Sequence, residues 1–187
     1  MLRAFDSVAE CWPDAVLVYS GRLAPRYREA DLRALAGAGS DKVRFLGFLE
    51  DPDDLVALMT EASVLVQPGA PTEFNRLRLP AKVHDYLLAG QPVVTFSVGF
   101  RELLTDRHEA VLTYSARPDE LAAAIEWVLI NPRRARAVAE AGRRRARELF
   151  APDLIVRQTL AYYERALKHA DEAAPPPARR LARWRAV

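Results

Sequence analysis

Glu73, Asn75, Arg76 and Arg78 crowd into one short stretch between Pro71 and Pro80. Two guanidinium groups there suit a phosphate. Pro80 suits the first turn of a helix, where its missing N–H has no helical partner to lose. Gly90 closes that helix, and Pro92-Val93-Val94 opens a strand. The helix start, around Leu79, Pro80 and Ala81, offers unpaired N–H groups and a partial positive charge to an anion. Binding of a phosphorylated ligand is therefore the chemistry within reach. The chain shows no nucleophile–base pair, no Gly-rich P-loop and no three-glycine dinucleotide fingerprint.

The same residues have plainer readings. Glu73 reads equally as a solvated loop acid, and Arg76 and Arg78 as solubilising charges. Lys82 and Asp85 are three apart and share a helix face with Ala89, while Val83 and Leu87 point elsewhere. Either the two charges form a surface pair, or Asp85 accepts ribose hydroxyls one turn inside a phosphate-binding terminus. Spacing leaves both open. Phe48 reads as core or as a ring for a base, and His84 as an ordinary helix residue.

The elements around this stretch alternate. A helix over residues 2–11 buries Leu2, Phe5, Val8 and Ala9. Ala15–Tyr19 is a continuous apolar run, expected to be a strand buried on both faces. A helix follows from about Arg28 to Ala36, stopped by Gly37 and Gly39. Val43–Leu46 is a second strand. Asp51-Pro52-Asp53-Asp54 starts a helix with a cap, a proline and two acids. Ser63–Val66 is the third strand, ended by Pro68, Gly69 and Pro71. Val93–Phe96 is the fourth. A short helix around Glu102 leads to the fifth, Ala110–Thr113. Pro118 opens a helix with Leu121, Ile125 and Val128 on one face. The next helix, after Asn131-Pro132, sets Ala135, Val138, Gly142, Ala146 and Leu149 apart from a solvated arginine face. A last helix from Pro152 carries Val156, Leu160, Tyr163 and Leu167 as an apolar stripe.

This order predicts an α/β fold with a doubly wound parallel sheet. The chain opens with a helix that feeds a buried strand, so a first strand is expected to be missing upstream. Ligands sit at the carboxyl ends of the strands in such sheets. Those ends carry Ser20-Gly21-Arg22, Gly47-Phe48-Leu49, the loop from Pro68 to Leu79, and Ser97-Val98-Gly99-Phe100-Arg101.

Composition sets the bounds. The 187 residues are half hydrophobic, with 27 Lys and Arg against 25 Asp and Glu, a formal charge of +2. No basic stripe argues for nucleic acid. Cys11 is alone, and His84, His108 and His169 lack ligand spacing, so neither a disulfide framework nor a metal is expected. No apolar run approaches a membrane span and no signal-peptide core is visible, so a cytoplasmic protein is expected. Heavy use of alanine and arginine points to a bacterial source. Pro175-Pro176-Pro177 with Arg179, Arg180, Arg183 and Arg185 reads as a disordered basic tail. Its Trp184 reads as a free residue or as a peripheral membrane or partner contact.

Val43-Arg44-Phe45-Leu46-Gly47, Leu55–Leu65 with Pro68, and Leu79-Pro80-Ala81-Lys82-Val83-His84-Asp85-Tyr86-Leu87-Leu88-Ala89-Gly90-Gln91-Pro92-Val93-Val94 resemble a known pattern. It is that of the donor-binding, C-terminal domain of GT-B glycosyltransferases, in the retaining group 1, or family 4-like, set. The resemblance covers roughly residues 2–168.

It implies a Rossmann-like, nucleotide-sugar-binding domain over 1–150. A C-terminal helix over 151–170 would pack toward an N-terminal acceptor domain that this chain does not include. The tail is 171–187. The donor would be a nucleotide-diphosphate sugar, with the protein stabilising the departing diphosphate and no side-chain nucleophile. The resemblance places the ribose on Asp85, the diphosphate on N–H groups near Leu79, Pro80 and Ala81, and the base beside Phe48 and Leu49. Gly21, Arg22, Arg78 and Lys82 complete the expected donor site. The family's donor-sugar carboxylate falls at Leu77, a departure for which Glu73 or Asn75 is the expected substitute. The family's first strand and its phosphate loop have no counterpart. The alternative is an inactive nucleotide-binding or partner-docking module derived from that fold, and a weaker one is a sugar-nucleotide epimerase fragment.

Overall fold

The computed structural model describes residues 1–78, 80–97, 99 and 103–172, with backbone alone at 171 and 172. The expected helix around Glu102, the loop residues Val98, Phe100 and Arg101, and the basic tail from 173 lie outside the described residues.

Helix α1, Leu2–Cys11, buries Ala4, Phe5, Val8 and Ala9 at helical spacing. Strand β1 is Leu17–Ser20. Helix α2, Glu29–Ala34, runs into a 3₁₀ turn over Gly37–Lys42 that the sequence did not foreshadow. The Asp6 carboxylate accepts the Ala38 N–H at 2.8 Å and holds that turn on α1. Strand β2 is Val43–Gly47. Helix α3, Pro52–Glu61, starts as expected, with Asp51 accepting the Asp53 N–H at 2.9 Å. Strand β3 is Leu65–Gln67. A single-turn helix α4, Glu73–Leu77, occupies the middle of the polar loop. Helix α5, Ala81–Ala89, has Pro80 as its cap residue and ends on Gly90 at φ 78°, where a side chain is strained. Strands β4, Val93–Phe96, and β5, Val111–Thr113, follow. Helices α6, Pro118–Ile130, and α7, Pro132–Leu149, complete the first unit, Met1–Glu148.

Among the described residues every strand pair is parallel, but the strands form two sheets. One is β1–β2, with Leu17 opposite Val43. The other is β3–β4–β5, with Leu65 opposite Val93 and Val94 opposite Val111. One core joins them. Phe5, Val8, Ala36, Val43, Val94, Val111, Leu121 and Ile125 cluster together, with Leu17, Phe45 and Val66 packed against them. On that face lie α1, α2 and α6. Alternation turns Val93 and Thr95 to the other face, toward α5, whose Val83 and Leu87 are buried.

Handedness then fixes which edges are inner. Parallel crossovers are right-handed. The β1-to-β2 crossover runs over one face and the β3-to-β4 crossover over the other, so the two pairs grow outward in opposite directions. β1 and β3 are therefore the inner edges of the two sheets. This corrects the expectation for Ala15–Tyr19. Its apolar run is not buried on both faces: Leu17 meets the core, while Val16, Val18 and Tyr19 are exposed.

Helix α7 buries Ala135, Val138, Ala139, Gly142 and Ala146 and exposes most of its arginines. Arg145 reaches back to donate to the Leu103 carbonyl at 3.1 Å. The second unit begins at Leu149. Within it α8, Pro152–Glu172, exposes Ile155, Val156, Leu160, Tyr163 and Leu167. No helix among the described residues is long and apolar enough to cross a membrane.

Candidate nucleotide-sugar site

The loop between β3 and α5 is built by its own side chains. Thr72 Oγ1 accepts the Asn75 N–H at 3.2 Å and so caps α4. The Asn75 amide donates to the Ala70 carbonyl at 2.8 Å and draws the loop closed. Arg78 lies over the Phe74 ring, 5.1 Å from its centroid. Glu73 and Arg76 point to solvent, and Leu77 is 86% exposed.

Two glycines set how closely the loop approaches the sheet. A Cβ on Gly69 would lie 2.7 Å from Phe96 Cβ. A Cβ on Gly99, in the loop after β4, would lie 2.4 Å from the Arg78 carbonyl oxygen and 3.2 Å from that of Asn75. Between these loops is a cleft lined by Gln67, Pro68, Gly69, Asn75, Arg78, Pro80, Thr95 and Phe96. Its volume is about 10 Å³, room for about one water molecule. It sits at the carboxyl ends of β3 and β4 and beside the start of α5. Pro80 accepts the Val83 N–H at 3.0 Å, so the Ala81 and Lys82 N–H groups are the ones without a helical partner.

A larger hollow of about 520 Å³ lies at the opposite, amino end of the strands, lined by Ser63, Gly90, Gln91, Pro92, Pro132 and Arg136 among others. Parallel sheets present ligands at their carboxyl ends, so the small cleft is the better candidate.

A second group gathers at the ends of β1 and β2. Gly21 donates its N–H to the Gly47 carbonyl at 2.6 Å, and Arg22 lies over the Phe48 ring at 5.0 Å. Leu49 follows, half-buried. The expected residues therefore fall into two sets: Asn75, Arg78 and Pro80 with the N–H groups of Ala81 and Lys82, and Gly21, Arg22, Phe48 and Leu49. Leu79 lies outside the described residues. Asp85 and Lys82 are exposed on α5. Asp85 Oδ1 lies 3.2 Å from His84 Nδ1, so the pair on this helix is His84–Asp85 rather than Lys82–Asp85. Burial, aided by the Asp85 charge, raises the neighbouring Tyr86 phenol above its ordinary value.

Sequence reasoning passed over three features. Thr95 and Phe96 were read only as strand, yet they form the cleft wall. Glu120, in the first turn of α6, is the third. Its carboxylate accepts the N–H groups of Tyr114 at 2.7 Å and Ser115 at 2.9 Å, and the Ser115 hydroxyl. Partial burial opposes its ionisation, but these bonds prevail and hold it below the usual glutamate range. The loop after β5 is thereby latched to α6. A serine five residues before a glutamate was the only signal. Among the described residues no three His, Cys, Asp or Glu side chains gather as a metal site.

Comparison with known proteins agrees with this architecture. Residues 1–131 match the family described as glycosyl transferases group 1. The chain is 34% identical over 130 residues to an MMP alpha-(1->4)-mannosyltransferase of Mycolicibacterium hassiacum, covering 68% of this chain and 30% of that protein. It is 32% identical over 143 residues to a 2-deoxystreptamine glucosyltransferase of Streptomyces kanamyceticus, covering 75% and 35%. The chain thus spans about a third of the length of these relatives. Among solved structures, Anabaena HepE in complex with UDP-glucose aligns with a TM-score of 0.69 at 20% identity, over 88% of this chain and 44% of that one. The C-terminal domain of a group 1 glycosyl transferase from Francisella tularensis aligns at 0.65 and 19%, over 77% and 74%. The fold is the Rossmann-like half of the GT-B architecture. The chain belongs to the glycosyl transferases group 1 family, in its C-terminal-type domain.

Proposed function

We propose that this chain is the donor-binding half of a retaining glycosyltransferase that takes its sugar from a nucleotide-diphosphate sugar. The observation that carries the reading is the cleft at the ends of β3 and β4. It brings Asn75, Arg78 and Pro80 to the open N–H groups of α5. A diphosphate there meets a helix N-terminus and a guanidinium group, both of which favour negative charge. Asp85, one turn into α5, is the ribose acceptor, and Arg22 with Phe48 offers a charged, aromatic wall for the base. UDP-glucose in the HepE complex supports a nucleotide sugar as the ligand class. Catalysis needs a second wall to hold the acceptor, so residues 1–187 alone are expected to bind without transferring.

Exposed Leu77 favours the second reading. It stands where the family has its donor-sugar carboxylate, and a module that binds nucleotide without catalysis tolerates that loss.

Calorimetry with UDP and GDP tests the first reading. Asp85→Ala is expected to weaken binding about tenfold or more, since a hydrogen bond to a charged group is worth roughly 1.5–3 kcal/mol. Unchanged affinity for both nucleotides leaves Asp85 a surface residue. Binding of UDP with no transfer by the full-length protein selects the second reading.

A further inference from the structure

The hollow at the amino end of the strands takes no part in the donor site, yet it is the roomier of the two. Its volume of about 520 Å³ falls within the span of small-molecule pockets, roughly 300–1,000 Å³. Two corners of the chain form its sides. One is Gly90-Gln91-Pro92, between α5 and β4, and the other is the α6–α7 junction, with Leu129 and Pro132. The floor is apolar: Pro92, Val128, Ala135 and Ala139 line it and belong to buried positions.

The rim is cationic. Arg136 lines the hollow directly. Arg143 lies across Gly90, where a Cβ would come within 3.3 Å of Arg143 Cδ and 3.4 Å of its Nη1. Both arginines are exposed on α7, about two turns apart. Glu140, between them on the helix, pairs with Arg136 at 3.6 Å. Arg143 has no ion pair among the described residues. One positive charge is therefore left over. Among the described residues no acid, histidine or cysteine lines the hollow, so it has the means to hold an anion and none to react with it.

We propose that this hollow binds a compact organic anion. Its apolar body rests on the floor, and its carboxylate or phosphate meets Arg136 and Arg143. The rim calls for the charge, because a guanidinium fork donates two parallel N–H bonds to either group. The floor calls for the body, because a bare ion would engage the rim alone and leave apolar surface wet. The site stands at the other end of β3, β4 and α5 from the carboxyl-end cleft, and its ligand is not the nucleotide sugar.

The test titrates the 187-residue chain with benzoate and, separately, with phenyl phosphate, and follows backbone amide resonances. Benzamide supplies the body without the charge, and inorganic phosphate the charge without the body. At least one of the two organic anions is expected to shift Gly90, Gln91 and Leu129 saturably, with a Kd of about 1 mM or tighter. The tighter of the two tells whether the ligand carries a carboxylate or a phosphate. Benzamide and inorganic phosphate are each expected to bind at least about tenfold more weakly. Arg136→Gln combined with Arg143→Gln is expected to weaken binding about tenfold or more with little change in Tm, since both side chains are exposed. Ser63→Phe, which fills the rim from an exposed position, is expected to abolish binding. No saturable shift with either organic anion overturns the proposal. So does equal binding of benzamide or of inorganic phosphate, because then the charge or the floor goes unread. Shifts centred on Gln67 and Thr95 would place the anions in the cleft and overturn it as well, as would unchanged affinity in the double arginine variant. No nucleotide is present in the titration, so failure of the cleft to bind UDP would leave its result untouched.

Discussion

The two sheets of this molecule are made of nearly the same material and end in opposite conditions. β4 reads Val-Val-Thr-Phe and is buried at every residue. β1 and its lead-in read Ala-Val-Leu-Val-Tyr, as apolar a run, yet alternate residues face water. The difference is in the neighbours. β4 has a parallel strand on each side and helices on both faces. Among the described residues β1 has one strand beside it and one covered face. A continuous apolar run therefore reports the burial a strand is suited to, and only its partners decide what it receives.

Truncation in the two sheets is the sharpest way to break that comparison. Leu87, 1% exposed behind the three-stranded sheet, loses both transfer free energy and packing when cut. Leu87→Ala is expected to cost about 2–5 kcal/mol in denaturant unfolding. Val18→Ala, on the bare face of the other sheet, is expected to cost less than about 1 kcal/mol. Equal losses would mean that β1 is covered in solution and that the contrast is false.

The next effect probes how tightly the three-stranded sheet holds its loops. Gly99→Ala puts a methyl against the Arg78 carbonyl at a residue with φ of 82°. Strain and overlap together are expected to destabilise by about 1–3 kcal/mol and to loosen the Asn75–Arg78 segment in hydrogen exchange. An unchanged exchange rate there would separate the loop after β4 from the cleft.

The smallest effect is a pH dependence. Glu120 is depressed when folded, so the stability it lends is complete above its unfolded value of about 4.3. It is lost as pH falls through the lower folded value. Glu109 behaves alike: burial works against its charge, but the Thr105 N–H and His108 outweigh it. Acid titration of Glu120→Gln is expected to show a shallower loss of stability below about pH 4.3 than the parent chain. Parallel curves would mean that the latch does not bear on folding.

Much of this fold was legible because its punctuation is local. Asp51, Pro118 and Gly90 act within their own turns, and helix starts and stops follow from them. The 3₁₀ turn was not legible, because it depends on Asp6 from another element. Nor was α4, whose cap Thr72 lies in a stretch rich in prolines that signal loop. At the candidate site, the types of Asn75, Arg78 and Asp85 were readable, but their company was not. Stacking of Arg22 on Phe48 arises only once the ends of β1 and β2 are set side by side.

The arginine face of α7 has a consequence for the molecule as an electrical object. Seven arginines against two glutamates give this helix a formal charge of +5, so the rest of the chain sums to −3 from a total of +2. Charge is thus unevenly shared along a chain that is nearly neutral in total. At low ionic strength, where the Debye length reaches about 30 Å, the chain should be retained by both cation and anion exchangers and turn as it approaches a charged surface. Salt near the physiological level should erase most of that orientation.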